Sequence, residues 1–128
     1  MRFITHNMLR CNIKNVGDGG YPLIIEAEKV ESIPSGDYSP AIVVGLLRKL
    51  NFAALKSAAA NLSLPDFQGV DAISEDMLAD DVFLRKIHAL LFELHVVEGS
   101  LICPVSNRRF VIKDSIPNML LHEDELSS

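Results

Sequence analysis

Two cysteines, Cys11 and Cys103, are the residues of this 128-residue chain best suited to chemistry, because facing turns that present thiolates are how ribbon folds hold a zinc ion. A tetrahedral structural site takes four ligands. After Cys11 come Asn12, Asn15 and Val16, and three residues beyond Cys103 stands Ser106, where a second thiol would belong. On residue types alone the pair reads as two buried free cysteines without metal. His6 is a third possible ligand, but a lone histidine on a strand reads better as a hydrogen-bonded neighbour. His88 and His95, seven apart on an expected helix, sit about 10 Å from each other along its axis, too far to share an ion; they read as surface or boundary residues.

Nucleophilic catalysis would need Cys11 or a serine beside a histidine and an orienting acid. A small enzyme using Cys11 with His6 finds no activating context in the sequence. GxSxG, GxGxxG and P-loop patterns are absent. Gly17, Gly19 and Gly20 read as turn geometry, since no helix start follows them. No residue is assigned a catalytic role, and the chain is not expected to be an enzyme.

The elements that must position these residues follow from their patterns. Phe3 to Leu9 mixes β-branched and aromatic residues and reads as a strand, followed by a glycine-rich loop. Tyr21 to Val30 alternates Leu23, Ile25 and Ala27 against Glu26 and Glu28, which predicts a half-buried strand paired with the first. Ser39 as N-cap and Pro40 at the first helical position start a helix to about Leu50; Phe52 to Leu62 is a second. From Ser74 to His95, apolar residues at Phe83, Leu84, Ile87, Leu90, Leu91 and Leu94 predict one long helix, ended by Glu98-Gly99. Three short extended pieces close the chain: Ser100–Cys103, Arg109–Lys113 and Ile116–Leu121, with a turn at Ser106-Asn107. Strands, helices and strands in that order imply an α+β fold whose sheet comes from both chain ends, with a helical layer between.

Composition bounds the function. The length suits one folded unit. A net charge of -5 opposes a nucleic-acid-binding role, because phosphate affinity rests on clustered Lys and Arg; here the basic residues come as isolated pairs, Arg48-Lys49, Arg85-Lys86 and Arg108-Arg109. A free-standing nucleic-acid-binding ribbon using Arg108-Arg109 is the alternative reading. The acidic spots Asp80-Asp81 and Glu123-Asp124-Glu125 read as solvated surface. The longest apolar run, Ala41 to Leu47, falls far short of the roughly 20 residues that span a bilayer, so no membrane association is expected. The opening residues do not form an export signal, which predicts an intracellular protein with reduced thiols.

The run Ile116-Pro117-Asn118-Met119-Leu120-Leu121 is apolar on both alternating faces yet contains Pro117, which suits an edge strand. Such an edge must be covered by the chain's own helices or by a partner's strand. That run, with Thr5-His6-Asn7-Met8-Leu9, Tyr21-Pro22-Leu23, the segment Leu84 to Glu93, Glu98-Gly99-Ser100-Leu101 and Cys103-Pro104, resembles the tRNA methyltransferase 112 homologue family over nearly the whole chain.

The resemblance implies a zinc-ribbon-like antiparallel sheet domain from residues 1–36 and 97–128, with residues 37–96 inserted as a helical domain. It also implies a non-catalytic subunit that binds, stabilises and activates several S-adenosylmethionine-dependent methyltransferases, as 1:1 heterodimers. These act on tRNA, on ribosomal RNA in ribosome biogenesis, and on a release factor in translation termination, in cytoplasm and nucleus. The partner supplies the cofactor and the chemistry, and touches RNA or release factor itself. Thr5, His6, Asn7, Met8 and Leu9, with Ile116, Pro117, Asn118, Met119, Leu120 and Leu121, are then the expected partner-binding residues. Some members carry four zinc-binding cysteines; the matching positions here are Cys11, Val16, Cys103 and Ser106, so no zinc is expected and Val16 should pack where a ligand stood.

Overall fold

The middle of the chain folds as its caps direct. In the computed structural model, which describes residues 1–14, 16–65, 67, 69–121 and 125, helix α2 spans Pro40–Lys49, with the Ser39 side chain accepting from the Ile42 amide. Helix α3 spans Phe52–Asn61, and there the Asn51 side chain accepts from the Ala54 amide. Each cap satisfies a donor that the first helical turn leaves orphaned.

The expected long helix is broken. Ser74 caps only a four-residue helix, α4, Glu75–Leu78. Asp80 then accepts from the amides of Val82 and Phe83 and starts α5, Asp81–His88. The acidic pair at 80–81 is therefore a helix start, with Asp81 also joined to Arg85 at 2.8 Å, and more than solvated surface. A π turn over Ala89–Glu93 completes the buried stripe of Ile87, Leu90 and Leu91. The chain extends at Leu94 because β-branched Val96 and Val97 have a strand to pair with.

That strand is β1, Ile24–Ser32, which pairs antiparallel with β2, Leu94–Ile102, from Ile24 opposite Ile102 to Ser32 opposite Leu94. Glu98 and Gly99 thus lie inside a strand and do not end a helix. The glycine is required there: its φ is +155°, and a Cβ would stand 2.4 Å from the Glu26 carbonyl oxygen, where the register shifts by a bulge. β3, Arg109–Lys113, and β4, Ile116–Pro117, complete a four-stranded antiparallel sheet in the order β1-β2-β3-β4. The fold class expected from the sequence, an α+β fold with a helical layer inserted into an antiparallel sheet, is the one observed.

The opening segment corrects the strand expected there. Phe3–Met8 is a short helix, α1, and β1 pairs with β2 in its place. Phe3, His6 and Asn7 are buried at spacings of three and four, and that burial outweighs the β preference of Ile4 and Thr5. Ahead of it, the Met1 ammonium donates to the carbonyls of Val96 and Ser115, each at 2.7 Å, and Val96 N–H donates to the Met1 carbonyl. Phe3, Leu23, Leu55, Ile87, Leu101 and Phe110 belong to one hydrophobic cluster between helices and sheet. Each such side chain contributes roughly 1.5–3 kcal/mol when fully buried. Among the described residues no helix is long and apolar enough to cross a membrane.

A candidate partner-binding edge

β3 alternates cleanly. Phe110 and Ile112 face the core, while Arg109, Val111 and Lys113 face out. Asp114 and Ser115 then both adopt positive φ, 51° and 67°, the backbone of a tight hairpin turn whose twist matches its strands. The chain returns as β4, with Pro117 opposite Ile112 and Ile116 opposite Lys113. One more bond, Asn118 N–H to the Val111 carbonyl at 2.9 Å, extends the pairing. The regular strand ends there, so only the first third of the expected Ile116–Leu121 strand is ladder.

The apolar run that seemed two-faced divides into anchors and presented groups. Met119 and Leu121 pack against the core. Ile116 and Leu120 stand out at 69% and 79% exposure. With Lys113, Asp114, Pro117, Asn118 and Met119 they line an open hollow of about 630 Å³. Val111, 57% exposed on the neighbouring strand, was not singled out from the sequence, although its place in the period-two pattern of β3 gave the signal. Pro117 contributes no ladder donor.

The Thr5–Leu9 set separates in the same way. His6 is fully buried, with its Nε2 2.7 Å from the Leu23 carbonyl oxygen. An acceptor there requires Nε2 to carry the proton, leaving a buried Nδ1 without a hydrogen-bond partner. Burial pushes this imidazole below its ordinary pKa, more than the bond to Leu23 raises it. Asn7 donates to the Asn51 carbonyl at 2.8 Å and accepts from the Asn51 amide at 3.0 Å, while its own carbonyl accepts from the Tyr21 hydroxyl. These two residues are internal struts. Met8, 72% exposed, faces solvent, and Thr5 and Leu9 are half-buried. The hollow's walls come from 113–120 and include none of the Thr5–Leu9 set.

The other candidates have local roles. His88 is buried, not a surface residue, with its Nε2 2.8 Å from Ser35 Oγ and its ring against Tyr38 and Phe92. His95 lies in β2, so the two never shared a helix face. Arg108 donates to Glu125 at 2.8 Å in a largely covered pair and lies over the Phe110 ring. Arg109 pairs with Glu26 at 3.2 Å. Both arginines that a phosphate-binding ribbon would use already hold carboxylates. Of the acidic tail, Glu123 and Asp124 lie outside the described residues.

The four positions of a ribbon-type zinc site do come together. Cys11 N–H donates to the Gly20 carbonyl, and the Cys103 and Ser106 turn is closed by Asn107 N–H to the Cys103 carbonyl. Ser106 N–H donates to Cys103 Sγ at 3.4 Å, and the thiols of Cys11 and Cys103 are near enough to shift each other's acidity. Half-buried Val16 packs over Gly20 beside Cys11. Burial pushes the Cys11 thiol up. At Cys103 burial also pushes up, but the bonds from Ser106 and the neighbouring Cys11 thiol outweigh it and the thiol is held low. Two sulfurs, a hydroxyl and a hydrocarbon do not make a tetrahedral zinc site. Among the described residues no group of three or more His, Cys, Asp or Glu side chains is placed to hold a metal.

Comparison with known proteins gives a consistent set of relatives. The family model described as "Trm112p-like protein" matches residues 2–115. The "Multifunctional methyltransferase subunit TRM112 homolog B" of Arabidopsis thaliana is 43% identical over 126 residues, covering 98% of this chain and 100% of that one. The "Multifunctional methyltransferase subunit TRM112-like protein" of Mus musculus is 39% identical, with 98% of each covered. A solved E. cuniculi structure, of an Mtq2-Trm112 complex responsible for methylation of the translation termination factor eRF1, superimposes with a TM-score of 0.57 at 27% identity, covering 94% of this chain and 95% of that one.

Proposed function

The chain belongs to the Trm112p-like family, and from that premise we propose that it is a non-catalytic subunit that binds, stabilises and activates methyltransferases. The observation that carries the reading is the β4 edge. Ile116 and Leu120 are large apolar side chains held in solvent beside a strand that no other described strand flanks on its far side, a surface that costs solubility unless a partner covers it.

On this reading each partner is an S-adenosylmethionine-dependent enzyme bound as a 1:1 heterodimer. The partner brings the cofactor, the substrate contacts and the chemistry, and this chain brings no metal or cofactor of its own. The substrates are tRNA, ribosomal RNA and a translation release factor, and the complexes work in cytoplasm and nucleus, where those substrates are made and used. The partner adds to the edge at Ile116–Leu121, with Met8 and its half-buried neighbours Thr5 and Leu9 as a second contact; His6 and Asn7 support that contact from below. A stable complex of this kind buries roughly 1,600 Å² in total.

Co-expression of the tagged chain with an Mtq2-type methyltransferase tests the reading. The wild-type chain should retain the enzyme through affinity and size-exclusion steps and raise its soluble yield and methyl-transfer activity. A folded Ile116→Asp/Leu120→Asp variant that still co-purified in full yield would overturn the assignment of the edge, and no retention by the wild-type chain would overturn the function.

A further inference from the structure

We propose that Cys11 and Cys103 form an oxidation site of their own, closing to an intramolecular disulfide under peroxide and reopening under thiol reductant. The two turns that carry them are already docked. A Cβ at Gly19 would meet Val105 Cγ2 at 2.5 Å, so the bare glycine there lets the turns approach, and one at Gly20 would meet Cys11 Cβ at 3.0 Å, so that glycine lets the first turn close on Cys11. Each cysteine is pinned by backbone bonds, Cys11 N–H to Gly20 O at 2.9 Å and Cys103 N–H to Arg108 O at 3.0 Å. Both cysteines belong to one buried cluster, and the two thiols are close enough that each shifts the acidity of the other. No other cysteine is present to compete.

Although both thiols are out of solvent contact, they lie directly under the surface. Arg10 and Asn12 on either side of Cys11 are exposed, as are Pro104, Val105 and Ser106 after Cys103. A molecule the size of hydrogen peroxide needs only a small opening of that turn. One sulfur, as its thiolate, displaces hydroxide from the peroxide and becomes a sulfenic acid. The second sulfur attacks it, the S–S bond forms and water leaves. Two thiols and one peroxide become one disulfide and two waters.

The bond would reach the functional edge through one residue. Arg108, which follows the Cys103 turn, donates to the Leu120 carbonyl at 3.4 Å and to Glu125, so fixing the turn fixes the base of the C-terminal segment. The inference does not depend on the identity of any partner.

The test treats the folded full-length chain with a small excess of hydrogen peroxide, blocks remaining thiols with an alkylating agent in denaturant, and reads intact mass and peptide linkage. A 2 Da loss, no alkylation, a Cys11–Cys103 linked peptide and full reversal by dithiothreitol are expected, with a melting temperature higher by roughly 10 °C. Cys11→Ser and Cys103→Ser should give no linked species. Recovery of two alkylated thiols, addition of oxygen without linkage, or linkage only when the chain is oxidised in denaturant would each overturn the proposal.

Discussion

The sheet has two edges, and they are finished in opposite ways. Along β1 the exposed positions are mostly charged, Glu26, Glu28, Lys29 and Glu31 beside the less exposed Ile24 and Val30, the ladder is disturbed by bulges at Ala27 to Val30, and the Ile25 amide donates to the Asn61 side chain at 2.8 Å. Charge, irregular register and a covering helix are the standard means of preventing a stray strand from adding there. Along β4 none of the three operates: the presented groups are Ile116 and Leu120, the turn before it is tight, and no described strand lies beyond it. One edge is thus guarded by charge and a helix, while the other, limited only by Pro117 and its short ladder, presents apolar groups, and the proposed partner edge rests on that difference.

Four experiments would break or sharpen that contrast. Gly99→Val should have the largest effect, because the new side chain would drive β1 off β2 where the Cβ position is 2.4 Å from Glu26 O. A loss of about 3–4 kcal/mol is expected by denaturant unfolding, and retention of wild-type stability would show that the bulge tolerates a side chain. Leu120→Asp comes next. It should weaken methyltransferase binding by about 2–3 kcal/mol, roughly 30- to 150-fold, in a titration calorimeter, while leaving the melting temperature of the isolated chain unchanged.

Asn61→Ala removes the acceptor of the Ile25 amide at the protected edge and should cost about 1 kcal/mol of stability. If the two edges differ for the reason given, that variant should also self-associate more readily in sedimentation, whereas wild type should not. The smallest effect is in pH dependence. His6 is held below its ordinary value of 6.5 by burial, so between its folded and unfolded values the unfolded chain binds more protons and stability rises with pH. Its contribution is complete above 6.5 and is lost as pH falls through the folded value. His6→Gln, which keeps a donor toward Leu23, should flatten the acid limb of a stability-versus-pH curve; an unchanged limb would assign it to other groups, such as His95, which burial also lowers.

Much of this architecture was legible in the chain. Ser39-Pro40 and the alternation of β1 are local signals, and the structure uses them where they stand. The misread segments have non-local causes. Phe3–Met8 is helical because His6 finds the Leu23 carbonyl and Asn7 finds Asn51, partners that no window around residue 6 contains. The helix begun at Ser74 breaks at Asp80, whose capping role was hidden because an acidic pair on a helix ordinarily reads as solvated. Glu98-Gly99 looked like a helix stop because a strand glycine is explained only by the strand that crowds it.

For the candidate site, the residues at 116–121 were found from apolarity and Pro117. Which of them anchor and which present themselves was not, because that division depends on where the ladder stops, at the Asn118 bond to Val111. The motif at 5–9 was recognised as a unit, yet its most distinctive pair, His6 and Asn7, turns inward.

Met1 is bonded to Val96 and Ser115 across 95 and 114 positions of sequence. During synthesis, at roughly 5–20 residues per second, the start of the chain must wait unpaired until nearly everything else has left the ribosome. α1 and β1 spend that interval without their final neighbours, and the apolar β4 edge is formed after every other strand. The surface most prone to stick is thus the one exposed for the shortest time before the fold beneath it closes.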